Sequence, residues 1–402
     1  MNKKVIRFQG LSFREELEKE RMDFVNQPIY LSLVPWEFCN WDCRYCHQDR
    51  RVKEGGELTL EEMKIIISEA AELGIRSVLF LGGEVLLKKI WGISRKVIEA
   101  IHGAGMITVI YTNGSQITKE MAEFLADQNV SIALKCDTLI PRKYDYLVGK
   151  KGAYKQFRQA LDIIQQTSIG KVVCKSDNQR MVRILLSTVG CGLNVDEYVS
   201  IARFATEQNA RWMMESLNCH GDAVPNIQEL AVDALKHAQS MKLALGLNPA
   251  QFFDGGASTN GCRLFSGITI RKKGEIAICP QDYNFLGNIR EVGLRDAWGL
   301  IQNKIFSAQL RKKWINGCPL KTKRKEVIEM TEELKKIILQ LGINSELRKK
   351  FFAGEKENIL SRHNLTDEER KCLREISEDQ LPGLVSKVVQ SPELSGIGDI
   401  RI

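Results

Sequence analysis

Three cysteines dominate the chemistry this sequence could perform. They stand in Cys39-Asn-Trp-Asp-Cys43-Arg-Tyr-Cys46, a C-x3-C-x2-C run short enough for three thiols to meet at one inorganic centre. Zinc is the simpler occupant, but structural zinc sites use four ligands in paired short spacings, and no partner pair follows nearby. An iron–sulfur cube held by three thiolates leaves one iron without a protein ligand, where a small molecule can bind. The count of three is therefore chemically meaningful.

A second set lies downstream. Cys262 and Cys279 enclose Gly274 as C-x11-G-x4-C, and Cys318 follows in Asn-Gly-Cys-Pro. The remaining five of the eleven cysteines, Cys136, Cys174, Cys191, Cys219 and Cys372, fall in predicted strands, helices or unmatched loops and read as small buried hydrophobes. The N-terminus, MNKKVIRFQG, has neither the apolar core nor the small-residue cleavage site of a signal peptide. A cytoplasmic location is expected, where structural disulfides are rare.

Composition narrows the classes further. With 44% hydrophobic and 27% charged residues in 402, the chain reads as two to three soluble globular domains. No run of eighteen apolar residues occurs, which argues against a membrane-spanning helix. The formal charge of +8, from 58 basic against 50 acidic side chains, is spread along the chain and does not point to nucleic acid.

The elements that must position the cysteines alternate. Predicted strands are Ile29 to Pro35, Ser77 to Gly83, Ile107 to Gly114, Ser131 to Asp137, Met181 to Val189 and Arg211 to Asn218. Predicted helices are Leu60 to Leu73, Lys88 to His102, Thr118 to Ala126, Tyr154 to Gln165, Val195 to Gln208 and Ile227 to Leu245, with Gly246 as a stop. The pattern predicts an α/β fold, a partial (β/α)6 TIM-like barrel, with a doubly wound sheet as competitor. In either, chemistry belongs at the carboxyl ends of the strands. Residues 268–270 and 276–278 predict a hairpin turning at Lys272-Lys273-Gly274, and Thr331 to Leu341 and Thr366 to Ile376 predict amphipathic helices, the second opened by a capping box. The expected domains are an N-terminal segment (1–28), a core barrel (29–250), a small auxiliary domain (251–320) and a helical extension (321–402).

The triplet resembles the cluster motif of the radical S-adenosylmethionine superfamily, C-x3-C-x-aromatic-C, with Tyr45 as the aromatic. The resemblance implies that Cys39, Cys43 and Cys46 hold a [4Fe–4S] cluster whose open iron is chelated by S-adenosylmethionine. One electron would then cleave the sulfonium bond to give a 5′-deoxyadenosyl radical that abstracts a substrate hydrogen. Leu79-Phe80-Leu81-Gly82-Gly83-Glu84 resembles the family's G-G-E-P, which contacts the methionine amino group. Here Val85 replaces the proline. Two glycines suit close backbone approach to a ligand, and a carboxylate suits an ammonium. Thr112 or Asn113, closing strand three, could reach the ribose or the substrate.

Strand four ends Lys135-Cys136-Asp137-Thr138-Leu139, where the molybdopterin-precursor cyclases of this superfamily have S-L-D-T/S-L and set the serine on the cofactor. Lys135 stands at that serine's place. Ser187 on strand five and Glu215 on strand six are expected at the barrel mouth. Glu215 could exchange a proton with the substrate or be a buried structural carboxylate. The second cysteine set, with Leu286-Gly287-Asn288-Ile289 and Trp298, resembles the start of a SPASM/Twitch extension. That implies one auxiliary iron–sulfur cluster on Cys262, Cys279 and Cys318, although Lys321 occupies the place of a fourth cysteine.

The resemblance implies an iron–sulfur enzyme of oxidoreductase or lyase type and leaves its substrate open. A small polar metabolite is the leading expectation. Only 28 residues precede the first strand, too few for the peptide-binding domain that opens many peptide maturases. Against that, residues 345–370 weakly resemble helical modules found as leader segments of ribosomal peptides, which keeps a peptide substrate as the alternative. The cyclase itself is disfavoured by its auxiliary spacing and by the tail Gly398-Asp-Ile-Arg-Ile402. An electron donor such as flavodoxin or ferredoxin is the expected partner. A non-enzymatic zinc scaffold is the reading from another class.

Overall fold

The computed structural model describes residues 6–8, 28–48, 55–174, 180–218, 221–232, 234–247, 267–306 and 331–378, with positions 381 and 385. Its strands, in chain order, are β1 (Ile6–Phe8), β2 (Tyr30–Val34), β3 (Ser77–Phe80), β4 (Ile107–Thr112), β5 (Ser131–Lys135), β6 (Val173–Cys174), β7 (Arg180–Val182), β8 (Ile184–Gly190), β9 (Arg211–Ser216), β10 (Gly267–Arg271), β11 (Glu275–Ala277) and β12 (Gly287–Asn288). Nine of them form one sheet in the order β12-β11-β10-β2-β3-β4-β5-β8-β9, and β1, β7 and β6 form a small separate one.

From β2 to β9 each strand lies parallel to the next in sequence within the large sheet. That order has no reversal, so the doubly wound alternative, which requires one, does not apply. The sheet is a partial TIM-like barrel and does not close: β9 and β12 are its two ends. Among the described residues no helix is long and apolar enough to cross a membrane.

Alternation along each strand makes two faces. One side is filled at its base by Tyr30, Leu79, Val109, Ala133, Leu185 and Met213. The other packs on helices: Met63, Ile66, Ile67 and Ala70 of Leu60–Glu72, and Val97, Ile98 and Ile101 of Trp91–Gly103, are all buried. Two helices begin on side-chain caps, whereas the one predicted from Lys88 begins at Trp91 without one. Thr59 and Glu62 make a reciprocal capping box, and the Thr118 hydroxyl accepts from the Met121 amide at the start of Lys119–Asp127.

Several expectations are corrected. The strand predicted at Met181 to Val189 is two, broken at Arg183. Its buried guanidinium turns aside to donate to the carbonyls of Val130 (2.7 Å) and Ala126 (3.3 Å), at the carboxyl end of the helix Lys119–Asp127. The helix predicted from Ile227 to Leu245 breaks after Leu230, because the turn at Gly192 packs there and its amide donates to the Leu230 carbonyl at 2.9 Å. Gly246 lies inside the helix Ala234–Leu247 and does not stop it. Helices Pro141–Leu147 and Leu294–Phe306 were not predicted.

The hairpin forms where its turn residues place it, with Gly274 at φ +83°. Its first strand also joins the barrel, from Gly267 opposite Tyr30 to Arg271 opposite Val34, as a seventh parallel strand. Beyond it, helices Glu332–Ile343, Ser345–Lys350, Lys356–Leu360 and Asp367–Glu375 enclose an apolar cluster of their own around Leu334, Ile338, Phe351 and Leu373. Thr366 and Glu369 form the expected capping box.

Candidate active site

The loop that leaves β2 folds back over the carboxyl ends of the strands. Cys39, Cys43 and Cys46, all half-buried, line one cleft there with Tyr45, Gly82, Gly83, Glu84, Thr112, Asn113, Lys135 and Glu215. Backbone hydrogen bonds clamp this loop from three sides. Gly83 and Glu84 amides donate to Trp36 and Phe38 carbonyls, each at 3.0 Å. Asp42 and Arg44 amides donate to Val148 (3.0 Å) and Leu147 (2.9 Å), and the Ala223 amide donates to Cys46 (3.2 Å).

The two glycines have a reason the sequence did not show. A Cβ on Gly82 would sit 2.3 Å from the Trp36 carbonyl oxygen, and one on Gly83 would sit 1.9 Å from that of Phe38. Close approach is required, but the partner is the cysteine loop itself. Glycine here lets β3 and the loop lie backbone to backbone.

Three half-buried thiols lining one cleft are a donor set that fits an iron–sulfur cube with one iron left open. Burial pushes the Cys43 thiol well up, and Cys46 and Cys39 push it further. A bound metal centre would relieve this mutual opposition among three adjoining thiols.

Glu84 fits an ammonium ligand in the same way. Its buried carboxylate accepts from the Leu86 amide (2.9 Å), the Thr112 hydroxyl (2.7 Å) and the Asn113 amide (2.7 Å). Burial raises its pKa, and the donors at Asn113, Leu86 and Thr112 lower it again. No cation pairs with it among the described residues. Asn113 then reaches onward: its side-chain amide donates to Asn40 (2.9 Å) and lies 3.7 Å from the Cys39 sulfur. Thr112 and Asn113 therefore orient Glu84 and the cysteine loop, a role that strand-end position alone could not assign.

A charged belt forms the opposite wall. Lys135 Nζ lies 3.2 Å from Asp137 Oδ1 and 5.0 Å from the Tyr45 ring centre. The Tyr45 hydroxyl donates to the other Asp137 oxygen, and the Val189 amide donates to Oδ1 at 2.8 Å. Burial alone would push the Lys135 ammonium down, but Asp137 and then Glu215 hold it above its ordinary value. Ser187 donates to Glu215 Oε1. The register Lys135 opposite Ser187 and Val189 opposite Glu215 brings Lys135, Ser187 and Glu215 together, but of these only Lys135 and Glu215 line the cleft. Ser187, expected at the mouth, is fully buried and reaches it through Glu215.

Sequence reasoning quoted Asp137 but gave it no role, although the run after strand four was the signal for it. It missed Glu37 and Arg271 altogether, which nothing local marks. Cys279 is buried at the end of the hairpin, while Cys262 and Cys318 lie outside the described residues. Of the five packing cysteines, Cys136 and Cys191 are fully buried, Cys219 lies outside the described residues, and nothing is described of the side chains of Cys174 and Cys372.

The site is thus an open parallel barrel with three thiols at its mouth. Residues 33–205 match the model of the radical SAM superfamily, a domain family associated with a [4Fe–4S] cluster and S-adenosylmethionine. Among curated proteins it is 26% identical over 179 residues to a probable GTP 3′,8-cyclase of Methanococcus vannielii, covering 42% of this chain and 58% of that one. It is 23% identical over 311 residues to molybdenum cofactor biosynthesis protein 1 of Mus musculus, covering 72% and 47%. The chain thus spans about half the length of these relatives. Among solved structures, Streptococcus suis SuiB bound to its precursor peptide SuiA superposes with a TM-score of 0.55 at 17% identity, covering 73% of this chain and 69% of that one. At that identity the likeness is one of fold.

Proposed function

We propose that this enzyme binds its [4Fe–4S] cluster through Cys39, Cys43 and Cys46 and abstracts a hydrogen from a small polar substrate held in the same cleft. The observation that carries the reading is the meeting of the three thiols with Glu84, a buried carboxylate with no cation partner among the described residues, at the carboxyl ends of the strands. When bound, the cluster and S-adenosylmethionine supply one-electron cleavage of a C–S bond and, from it, a hydrogen-abstracting radical. The residues of this chain bind and orient. Glu84, fixed by Thr112 and Asn113, receives the methionine ammonium, Gly82 and Gly83 hold the loop against β3, and Tyr45 packs beside Lys135. On the opposite wall Lys135 and Glu215 face the substrate, Ser187 positions Glu215 by its hydrogen bond, and Glu215 can hold or release a proton at its carboxylate. The apolar lining from Leu79, Leu81 and Met213 excludes water from a reactive intermediate.

Anaerobic reconstitution with iron and sulfide tests this. The protein should show iron–sulfur absorption, and with dithionite it should convert S-adenosylmethionine to 5′-deoxyadenosine. The joint Cys39→Ala, Cys43→Ala, Cys46→Ala variant should lose part of that absorption and make no 5′-deoxyadenosine. Unchanged iron uptake in that variant would sink the assignment.

A peptide substrate is the second reading. It is favoured by the unclosed barrel, whose open side admits an extended chain, and by the fold likeness to SuiB bound to its precursor peptide. An auxiliary cluster on Cys262, Cys279 and Cys318 remains part of the proposal. Iron retained after removal of the triplet would support it, and an iron-free protein would refute it.

A further inference from the structure

The auxiliary centre proposed above has three cysteines and no fourth, since Lys321 stands where one was expected. The end of the hairpin offers another ligand. Cys279 and Asp282 are the two ends of one tight turn: the Asp282 amide donates to the Cys279 carbonyl at 2.9 Å, a closure that brings Cα atoms three residues apart within about 7 Å. Pro280 and Gln281, between them, line the cleft. Cys279 and Asp282 are buried, at 5% and 4% exposure. The middle of the turn thus faces the cleft, and its two ends lie in the protein behind it. Cysteine pairs that share one metal use this same two-residue interval; here a carboxylate stands in the second place.

The Asp282 carboxylate is only half satisfied. Its Oδ1 accepts from the backbone amide and the side-chain amide of Asn284, each at 3.0 Å. Its Oδ2 is sealed from solvent without a hydrogen-bond partner, and no cation pairs with it among the described residues. Other buried carboxylates differ. Glu37 has Arg271 on one oxygen and Lys272 on the other. Glu84 has the Thr112 hydroxyl and the Asn113 amide, Asp137 has Tyr45 and the Val189 amide, and Glu369 has the Thr331 and Thr366 amides. Among the described residues, Asp282 Oδ2 is the one buried carboxylate oxygen left without a partner. A buried charge is costly unless it is paired or bound to a metal.

We propose that Asp282 is the fourth ligand of the auxiliary iron–sulfur cluster, binding one iron through Oδ2 beside Cys279. The proposal rests on the auxiliary-cluster reading above. The iron supplies the positive charge that Oδ2 lacks, while Asn284 holds the other oxygen. A cluster closed in this way has no free iron for a substrate, so the walls of the cleft alone hold the substrate. The harder oxygen ligand donates less electron density than a thiolate, which sets the cluster at a higher reduction potential than an all-cysteine one.

The test uses the full chain carrying Cys39→Ala, Cys43→Ala and Cys46→Ala, so that iron taken up on anaerobic reconstitution belongs to the auxiliary centre. In this background Asp282→Asn keeps an acceptor for Asn284 and removes the anionic oxygen. It should lose iron to a chelator roughly tenfold faster or more, while its metal-free form unfolds in urea as the background protein does. Asp282→Cys should hold its iron as firmly as the background protein, with a lower midpoint potential. Mössbauer spectra of the background protein should show one iron in a more ionic setting than the rest, and Asp282→Cys should make that iron thiolate-like. Iron held as firmly in Asp282→Asn as in the background protein, or a spectrum and potential unchanged in Asp282→Cys, would overturn the proposal. So would loss of iron from both variants, which would make Asp282 a structural residue. A background protein that takes up no iron would instead overturn the auxiliary-cluster reading, and the proposal with it.

Discussion

Arg271, the last residue of β10, donates from Nη2 into the carboxylate of Glu37, at the root of the cysteine loop. Lys272 Nζ approaches the other oxygen at 2.9 Å, and Arg271 also donates to Gln48 (3.1 Å) and to the Pro280 carbonyl (2.8 Å). Its guanidinium stacks on Tyr283, whose hydroxyl donates to the His47 carbonyl at 2.7 Å. The hairpin that carries Cys279 and the loop that carries the triplet are thereby fastened together by groups withdrawn from water.

Arg271→Met should therefore destabilise the fold by about 3 kcal/mol, because removing one partner strands a buried charge. Lys272 remains to offset part of the loss. Urea unfolding of the metal-free protein measures the effect, and iron retained after reconstitution should fall as the loop loosens. An unfolding midpoint like that of the parent would refute the fastening role.

Gly83→Ala should cost about 3 kcal/mol or more, above the usual range for overpacking, since both parties to the clash are backbone. Gly105→Ala is the comparison. Its φ of +75° opposes a side chain, yet nothing lies within 4 Å of the added carbon, so the loss should stay near about 1 to 2 kcal/mol. Thermal midpoints of the two variants should separate them, and only Gly83→Ala should reduce iron binding.

Glu62 supplies a pH dependence away from the site. The Arg290 guanidinium, assisted by the Thr59 amide, lowers its pKa from 4.5 to about 2. A carboxyl depressed in the folded state stabilises fully above its unfolded value and loses that contribution as pH falls through the folded one. Glu62→Gln should thus lower stability at neutral pH, by less than about 1 kcal/mol because the pair is partly exposed and screened. The difference in melting temperature from the parent should shrink between pH 4.5 and 2, and a difference constant across that window would contradict the pairing.

Cysteine reactivity should divide along burial. Burial raises the thiol pKa of Cys136 and Cys191, the latter to about 11, and both are fully buried. In native, metal-free protein at pH 8, iodoacetamide should leave these two unmodified until denaturant is added. Cys39 and Cys46, at the cleft, should be labelled, and reconstitution should protect them. Mass spectrometry of digested protein reads each site. Native labelling of Cys136 would show that its strand end opens.

The alternation of strands and helices, the cysteine run after the first strand and Glu84 after the second were all legible in the sequence. Each depends on periodicity or spacing over a few residues, and local geometry enforces them. The same locality explains the hairpin turn at Gly274 and the capping boxes at Thr59 and Thr366. What only the tertiary structure decided depends on residues far apart. Arg271 and Glu37 are separated by 234 positions, and no pattern near either one announces the other. Nor did the hairpin reveal that β10 pairs with β2 as a seventh parallel strand, since that register is set by packing across the chain. The glycines of Gly82-Gly83-Glu84 were read as room for a ligand; folding shows that the space a Cβ would need is filled by the backbone of Trp36 and Phe38, while both glycines still line the cleft. The sequence by itself determined which chemistry the side chains are able to do; long-range packing determined which of them meet, because side chains remote along the chain acquire neighbours only when the sheet assembles.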